Sequence, residues 1–330
     1  MRRILLVLPV LLLLATALGF GAPAAGGPAA PVEIRLGHGF AAEEQLWLMA
    51  ARPDITPNQG RAYTLRFTAF RASDDRLRAY EAGQIDGGTI PGPTALFAAE
   101  QGVPLVLVAS VSKEVPGGNW HNTTYLALAD AGIRSARDLR GKRVGVVGFK
   151  TSTELWARAA IDAAGLDPNR DVSYVIVPFP AMGEALRARR IDVGAFPNPF
   201  FHVEQTRGGV VVVFTSKTGV PFEEELITIF LRPDFVRRHR EAVRAFLRDF
   251  VAATRWYLAN QREARQALLE KRFITVPPEV YFSMQDWYRD PSARISFEFL
   301  RRMQELHLKL GWQTKAVDVR RLVDTSLLPF

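Results

Sequence analysis

Cysteine is absent from the 330 residues, which removes disulfides, cysteine-ligated zinc, iron–sulfur clusters and thiol catalysis together. It also removes a bacterial lipoprotein anchor, because that lipid is carried by a cysteine at the cleavage site. Lysine is scarce, with seven against 35 arginines and a net charge of +8. The arginines form no dense basic block, no zinc-finger spacing and no basic-aromatic alternation, so no nucleic-acid partner is expected. A GC-rich coding sequence accounts for the bias, and the basic balance weakly favours anionic ligands. No two of the five histidines have metal-ligand spacing, so neither a metal nor a cofactor is expected. The Gly-x-Ser-x-Gly, Walker, dinucleotide-binding and His-Glu-x-x-His motifs are all missing. A secreted hydrolase or lyase is therefore the rival class, and the first reading is not an enzyme.

Long hydrophobic runs are also lacking, with one exception at the start. Residues 4–18 are nearly all apolar, follow Arg2 and Arg3, and lead into small residues through 19–30. This is the three-part layout of a signal peptide, and the run is short of the roughly 20 residues a membrane span needs. Residues 1–30 are read as a leader cleaved after Ala24, Ala25 or Ala30. The mature protein is expected in the periplasm, unlipidated.

What remains is 48% hydrophobic and 23% charged overall, enough for one large or two medium domains. Strand-like segments at 32–36, 63–70, 103–111, 143–147, 172–177 and 193–196 alternate with helix-like ones at 43–51, 74–82, 93–101, 153–165 and 182–190. That alternation predicts α/β architecture with parallel sheet. The last hundred residues read as helices, and Val243, Phe246, Leu247, Phe250, Val251 and Thr254 make one apolar stripe at helical period. An internal echo links 85–93 to 191–199: Ile, Asp, Gly, Pro and Pro recur at equal spacing, 106 residues apart. Two similar α/β lobes that present the same strand-to-loop turn would produce it. Ligands of open α/β folds bind beyond the strand carboxyl ends, so two facing turns would border a cleft.

Several strings resemble one family. The helix-to-turn stretch 77–88, the turn Glu100-Gln101-Gly102-Val103-Pro104, the run 135–146 around Asp138-Leu139-Arg140-Gly141-Lys142, and 164–167 with 185–192 occur in order over residues 32–260. They resemble the substrate-binding proteins of ABC importers for nitrate, taurine and aliphatic sulfonates, a group similar to the thiamine-precursor-binding proteins. The resemblance implies a periplasmic-binding-protein fold, type II-like, with two α/β lobes joined by a two-strand hinge and a helical C-terminal tail. Lobe one would take 31–118 and 217–330, and lobe two 119–216. The implied partners are a small-molecule ligand and an inner-membrane permease, with the protein monomeric. A sulfonate- or nitrate-like anion is the first choice of ligand; an aromatic carboxylate or a pyrimidine thiamine precursor is the alternative. The loop 148–153 departs from the family pattern by placing Phe149 and Lys150 before the small hydroxyls.

Site candidates follow from position. Thr151, Ser152 and Thr153 stand between a predicted strand and a predicted helix, where one hydroxyl is expected to cap the helix and its amides to bind an anion. Lys150 beside them offers a cation. His38 and Phe40 end the first strand. Thr89, Phe196 and Asn198 lie in the echoed turns, where Asp86 and Asp192 are read as anchors of the turn backbone. Ser110, Ser112 and Ser216 end strands near the hinge. Residues 117–121, with two glycines and Trp120, are read as cleft or permease contacts. Glu223-Glu224-Glu225 reads as a solvated acidic turn, with recognition of a cationic ligand such as an amine or pyrimidine as the alternative.

Overall fold

Strand β1, Val32–His38, turns Ile34 and Leu36 to the buried face and pairs in parallel with β2, Tyr63–Ala69. It pairs in parallel on its other side with β3, Gly87–Ile90. The computed structural model describes residues 30–114 and 123–330; residues 1–29 of the expected leader and the 117–121 segment lie outside the described residues. The further strands are β4 Val106–Glu114, β5 Thr123–Leu128, β6 Lys142–Val146, β7 Val172–Ile176, β8 Val193–Pro197, β9 Val210–Thr215 and β10 Glu224–Leu231.

They form two five-stranded sheets of one design. The first runs β2-β1-β3-β10-β4 and the second β7-β6-β8-β5-β9. The echoed segments fall on corresponding strands, β3 and β8, each parallel to a central strand. The two echoed aspartates also correspond. Asp86 accepts the Arg35 backbone N–H at 3.0 Å and its Nε at 2.9 Å, while Asp192 accepts the Arg143 N–H at 2.8 Å and its Nε at 3.0 Å. Each ties its turn to the neighbouring central strand.

The sheets are mixed, which corrects the expectation of parallel sheet. β10 runs antiparallel to β3 and β4, and β5 antiparallel to β8 and β9. These are the strands by which the chain arrives from the other sheet, so each enters from the opposite end. The strand ends that flank the crossings are paired: Glu114 with Glu224, and Thr124 with Thr215.

The apolar stripe of the helix Arg240–Ala259 is buried as the period requires, and Phe246 meets Tyr63 of β2 edge-on at 5.7 Å. The Tyr63 hydroxyl donates to Asp249 at 2.8 Å. The C-terminal helices thus belong with the first sheet. Glu224 and Glu225 are not a solvated turn but open the central strand β10, each about 1% exposed. A buried charge persists only when paired. Lys113 lies 3.4 Å from Glu225, and Lys217 lies 3.4 Å from Glu224 and closer to Glu114.

The second crossing runs tight against the helix Ser152–Ala163. A Cβ on Gly219 would come 2.1 Å from the Ala159 carbonyl carbon. Backbone cannot retreat as a side chain can, so Gly219→Ala is expected to cost about 3 kcal/mol, the upper range for overpacking. Urea unfolding of the two proteins measures it; equal midpoints would show that the crossing yields.

Candidate functional site

A cavity of about 80 Å³ lies between the two sheets with their helices, referred to below as the first and second halves. It has room for several water-sized groups. The first half lines it with residues 39–43, 71–73, Arg76, Pro91, Leu226 and Ile227; the second with Thr123, Val147, 151–153, Trp156, Phe179 and Pro197. Pro91 and Pro197 are the equivalent prolines of the two echoed turns.

The first half supplies a buried guanidinium and a buried carboxyl. Arg76, on the helix Ser73–Glu81, is 3% exposed. Its Nη1 donates to the Thr89 carbonyl and, at 2.7 Å, to the Thr89 hydroxyl. That hydroxyl in turn donates to Glu43 Oε1 at 2.9 Å, and Gly39 N–H donates to the same oxygen at 3.0 Å. A Cβ on Gly39 would sit 2.9 Å from both Arg76 Nη2 and Glu43 Oε1, so the pair closes around a position only glycine fits. Burial pushes the Glu43 carboxyl above its ordinary range, against Arg76, Thr89 and Gly39, which favour its charged form. Burial also pulls Arg76 down, yet guanidinium keeps its proton.

The second half supplies donors. No side chain among the described residues caps the helix Ser152–Ala163. The expected cap is corrected here: Thr151 Oγ1 donates instead to Gly148 O at 2.7 Å, holding the loop, and Thr153 Oγ1 accepts from Val147 N–H at 3.2 Å. Ser152 Oγ, Thr123 Oγ1 and Arg76 Nε are buried with no hydrogen-bond partner among the described residues. Unsatisfied buried donors are rare and costly, and three around one cavity call for an acceptor-rich occupant. Phe40, Trp156 and Phe179 give apolar walls. Trp156 is fixed by its Nε1–H, which donates to Glu224 at 3.0 Å.

Of the residues singled out from sequence, the structure brings Phe40, Thr151, Ser152 and Thr153 to the cavity wall. Thr89 stands behind it, bonded to Arg76 and Glu43. His38 is packed among Trp47, Phe67 and Phe273, and burial lowers it to about 4, so it is neutral. Phe196 is buried in β8 next to the lining Pro197. Asn198 donates to Gln285 O at 2.9 Å. Ser110 donates to Glu225 at 2.7 Å, Ser216 donates to Glu114 at 3.0 Å, and Ser112 is wholly buried in β4. Ser110 and Ser216 are thus bonded to glutamates at the strand ends near the crossings. Lys150 turns away to aromatic rings of the first half. Sequence reading missed Glu43, Arg76 and Thr123.

The sequence profile of the NMT1-like family matches residues 27–270. The bicarbonate-binding protein CmpA of Synechococcus sp. is 25% identical over 229 residues, covering 63% of this chain and 50% of that protein. The taurine-binding periplasmic protein of Escherichia coli is 26% identical over 210 residues, 64% of this chain and 62% of that one. The chain thus spans about half the length of CmpA. The alkanesulfonate-binding protein SsuA from Xanthomonas axonopodis pv. citri, bound to MOPS, matches with a TM-score of 0.73 at 18% identity, over 90% of this chain and 99% of that one. The shared fold is the periplasmic-binding-protein one, two α/β halves with a helical C-terminal region. No helix among the described residues is long and apolar enough to cross a membrane.

Proposed function

Because the chain belongs to the NMT1-like family, we propose that it is an exported solute-binding protein that captures a small anion between its halves and delivers it to the permease of an ABC importer. The observation that carries the reading is the set of unpartnered buried donors, Arg76 Nε, Ser152 Oγ and Thr123 Oγ1, around one small cavity. In a site closed to water such donors hold an anion far more strongly than they would in solution. The protein acts as a monomer in the periplasm, its leader removed, and releases the solute unchanged.

Glu43 narrows the solute class. An acceptor-only anion such as nitrate would face this carboxyl with nothing to donate. Bicarbonate carries a hydroxyl and an aminosulfonate carries an ammonium, and either meets Glu43 with a donor. These are the ligand chemistries named for the CmpA and taurine-binding relatives.

Thermal unfolding of the mature protein, refolded and dialysed to strip bound solute, tests this. The panel is bicarbonate, taurine, alkanesulfonates, nitrate, sulfate, an aromatic carboxylate and a pyrimidine. A solute at 100 times its dissociation constant adds about 2.7 kcal/mol, a shift of several degrees. Bicarbonate or taurine is expected to shift the midpoint more than nitrate. A response to the pyrimidine alone, or chemical turnover of any compound, would overturn the anion reading.

A further inference from the structure

Lys150 occupies a socket that the capture reading does not use. It follows the close approach at Gly148, where a Cβ would meet Asp74 Oδ1 of the first half at 2.7 Å. Its backbone is left-handed, with φ 58°, a conformation costly for a residue with a Cβ. The geometry is held at both ends. Lys150 N–H donates to Glu154 at 2.7 Å, and the Thr94 hydroxyl donates to Lys150 O at 3.2 Å across the halves. The ammonium then reaches into the first half. It lies 4.8 Å from the Phe97 ring centroid and 4.4 Å from that of Trp312, and donates to Trp312 O at 3.4 Å.

The socket is itself built. Phe97 is on the helix Gly92–Glu100, and Trp312 is in the turn after the helix Phe297–Lys309. Gln313 Nε2 donates to Leu96 O at 3.3 Å, and Gln313 Oε1 accepts from His307 Nδ1 at 2.9 Å. Glu100 accepts Thr314 N–H at 2.6 Å and Lys315 N–H at 3.0 Å. These bonds tie the turn that carries Trp312 to the helix that carries Phe97. Trp312 lies in the C-terminal region, beyond residue 270, where the family match ends.

We propose that Lys150 is a clasp: its ammonium, seated between Phe97 and Trp312, holds the 151–153 binding loop of the second half against the first half and slows the escape of a captured solute. The effect on escape rests on the capture reading above; the clasp itself does not. A cation over two aromatic faces in a half-buried socket is attracted to both, and desolvation strengthens the contact. Lys150 does not itself line the cavity but directly precedes the lining residues 151–153, so it is a positioning residue for that wall.

The test has two arms on the full mature chain and its Lys150→Met, Lys150→Arg and Trp312→Leu variants. In solute-free protein, amide hydrogen exchange across 148–154 is expected to quicken about tenfold in Lys150→Met and Trp312→Leu and to stay near the original in Lys150→Arg. Unchanged exchange in the helix Arg240–Ala259 shows that the variants are folded. In the second arm, stopped-flow release of bicarbonate or taurine is expected to be about tenfold faster in the first two variants, with association within twofold. Unaltered exchange at 148–154 in both variants would overturn the clasp, as would unaltered release of a solute that binds. If neither solute binds the parent protein, the capture reading falls and the exchange arm alone decides the clasp.

Discussion

Arg76→Met is expected to weaken capture of the anion about a hundredfold, roughly 2.8 kcal/mol. Arg76 is the buried cation of the cavity wall, and its Nε has no hydrogen-bond partner among the described residues. A charge-assisted bond made away from water is worth more than a neutral one, and methionine keeps the length of the stem while removing the charge. The substitution also has a cost to folding. Glu43, Gly39 and Thr89 are arranged around the guanidinium, and without it a buried carboxylate stands uncompensated. Glu43 then takes up a proton, because burial already pushes it up and Arg76 is among the groups that oppose this. The double variant Arg76→Met with Glu43→Gln separates the two effects: stability is expected to recover while anion affinity stays low. Calorimetric titration with bicarbonate and taurine measures the affinity, and urea unfolding the stability. Affinity within twofold of the parent in Arg76→Met would make Arg76 a prop for the β1 turn and nothing more.

The parts of this protein legible in its sequence are those set by short-range pattern. Strand and helix periods located the elements, and the echo located β3 and β8, because tight exits from buried strands demand glycine and proline in the same order. The 151–153 loop was legible as a strand-to-helix turn whose hydroxyls and amides could cap the helix or face a ligand. The parts that were not legible depend on partners distant along the chain. Arg76 stands among Arg71, Asp74, Asp75 and Arg78, and in sequence it is one more charge on a solvated helix; only the fold shows that it is 3% exposed while Arg78 pairs with Asp74 and Asp75 at the surface. Lys150 stood out as a rare lysine beside the binding loop, but its socket is made by Phe97 and Trp312, which no local spacing connects to it. Ser110 and Ser216 looked free for a ligand because their acceptors, Glu225 and Glu114, lie on other strands. The acidic run at 223–225 failed for the same reason. A row of glutamates reads as solvated until Lys113 and Lys217 are brought to it.

Glu225→Gln is expected to flatten the pH dependence of stability between about pH 4.5 and 7. Burial raises this carboxyl to about 7, while Lys113, the Ser296 N–H and the Ser110 hydroxyl pull the other way. The Ser296 bond is 2.6 Å and the Lys113 ammonium is 3.4 Å away. Because the folded value lies above the unfolded one, the folded state holds the proton more tightly. The stability this contributes is complete below about 4.5 and is lost as pH rises through about 7. A difference of that size corresponds to about 3 kcal/mol across the window. Glutamine keeps the shape and cannot ionise, so the loss with rising pH should shrink by that amount. Asp290, 3.4 Å from Lys113, remains as the lysine's counter-charge. Urea unfolding of both proteins at pH 5, 6, 7 and 8 measures the slopes. Parallel slopes would mean that the carboxylate stays charged throughout, held by Lys113 in spite of its burial.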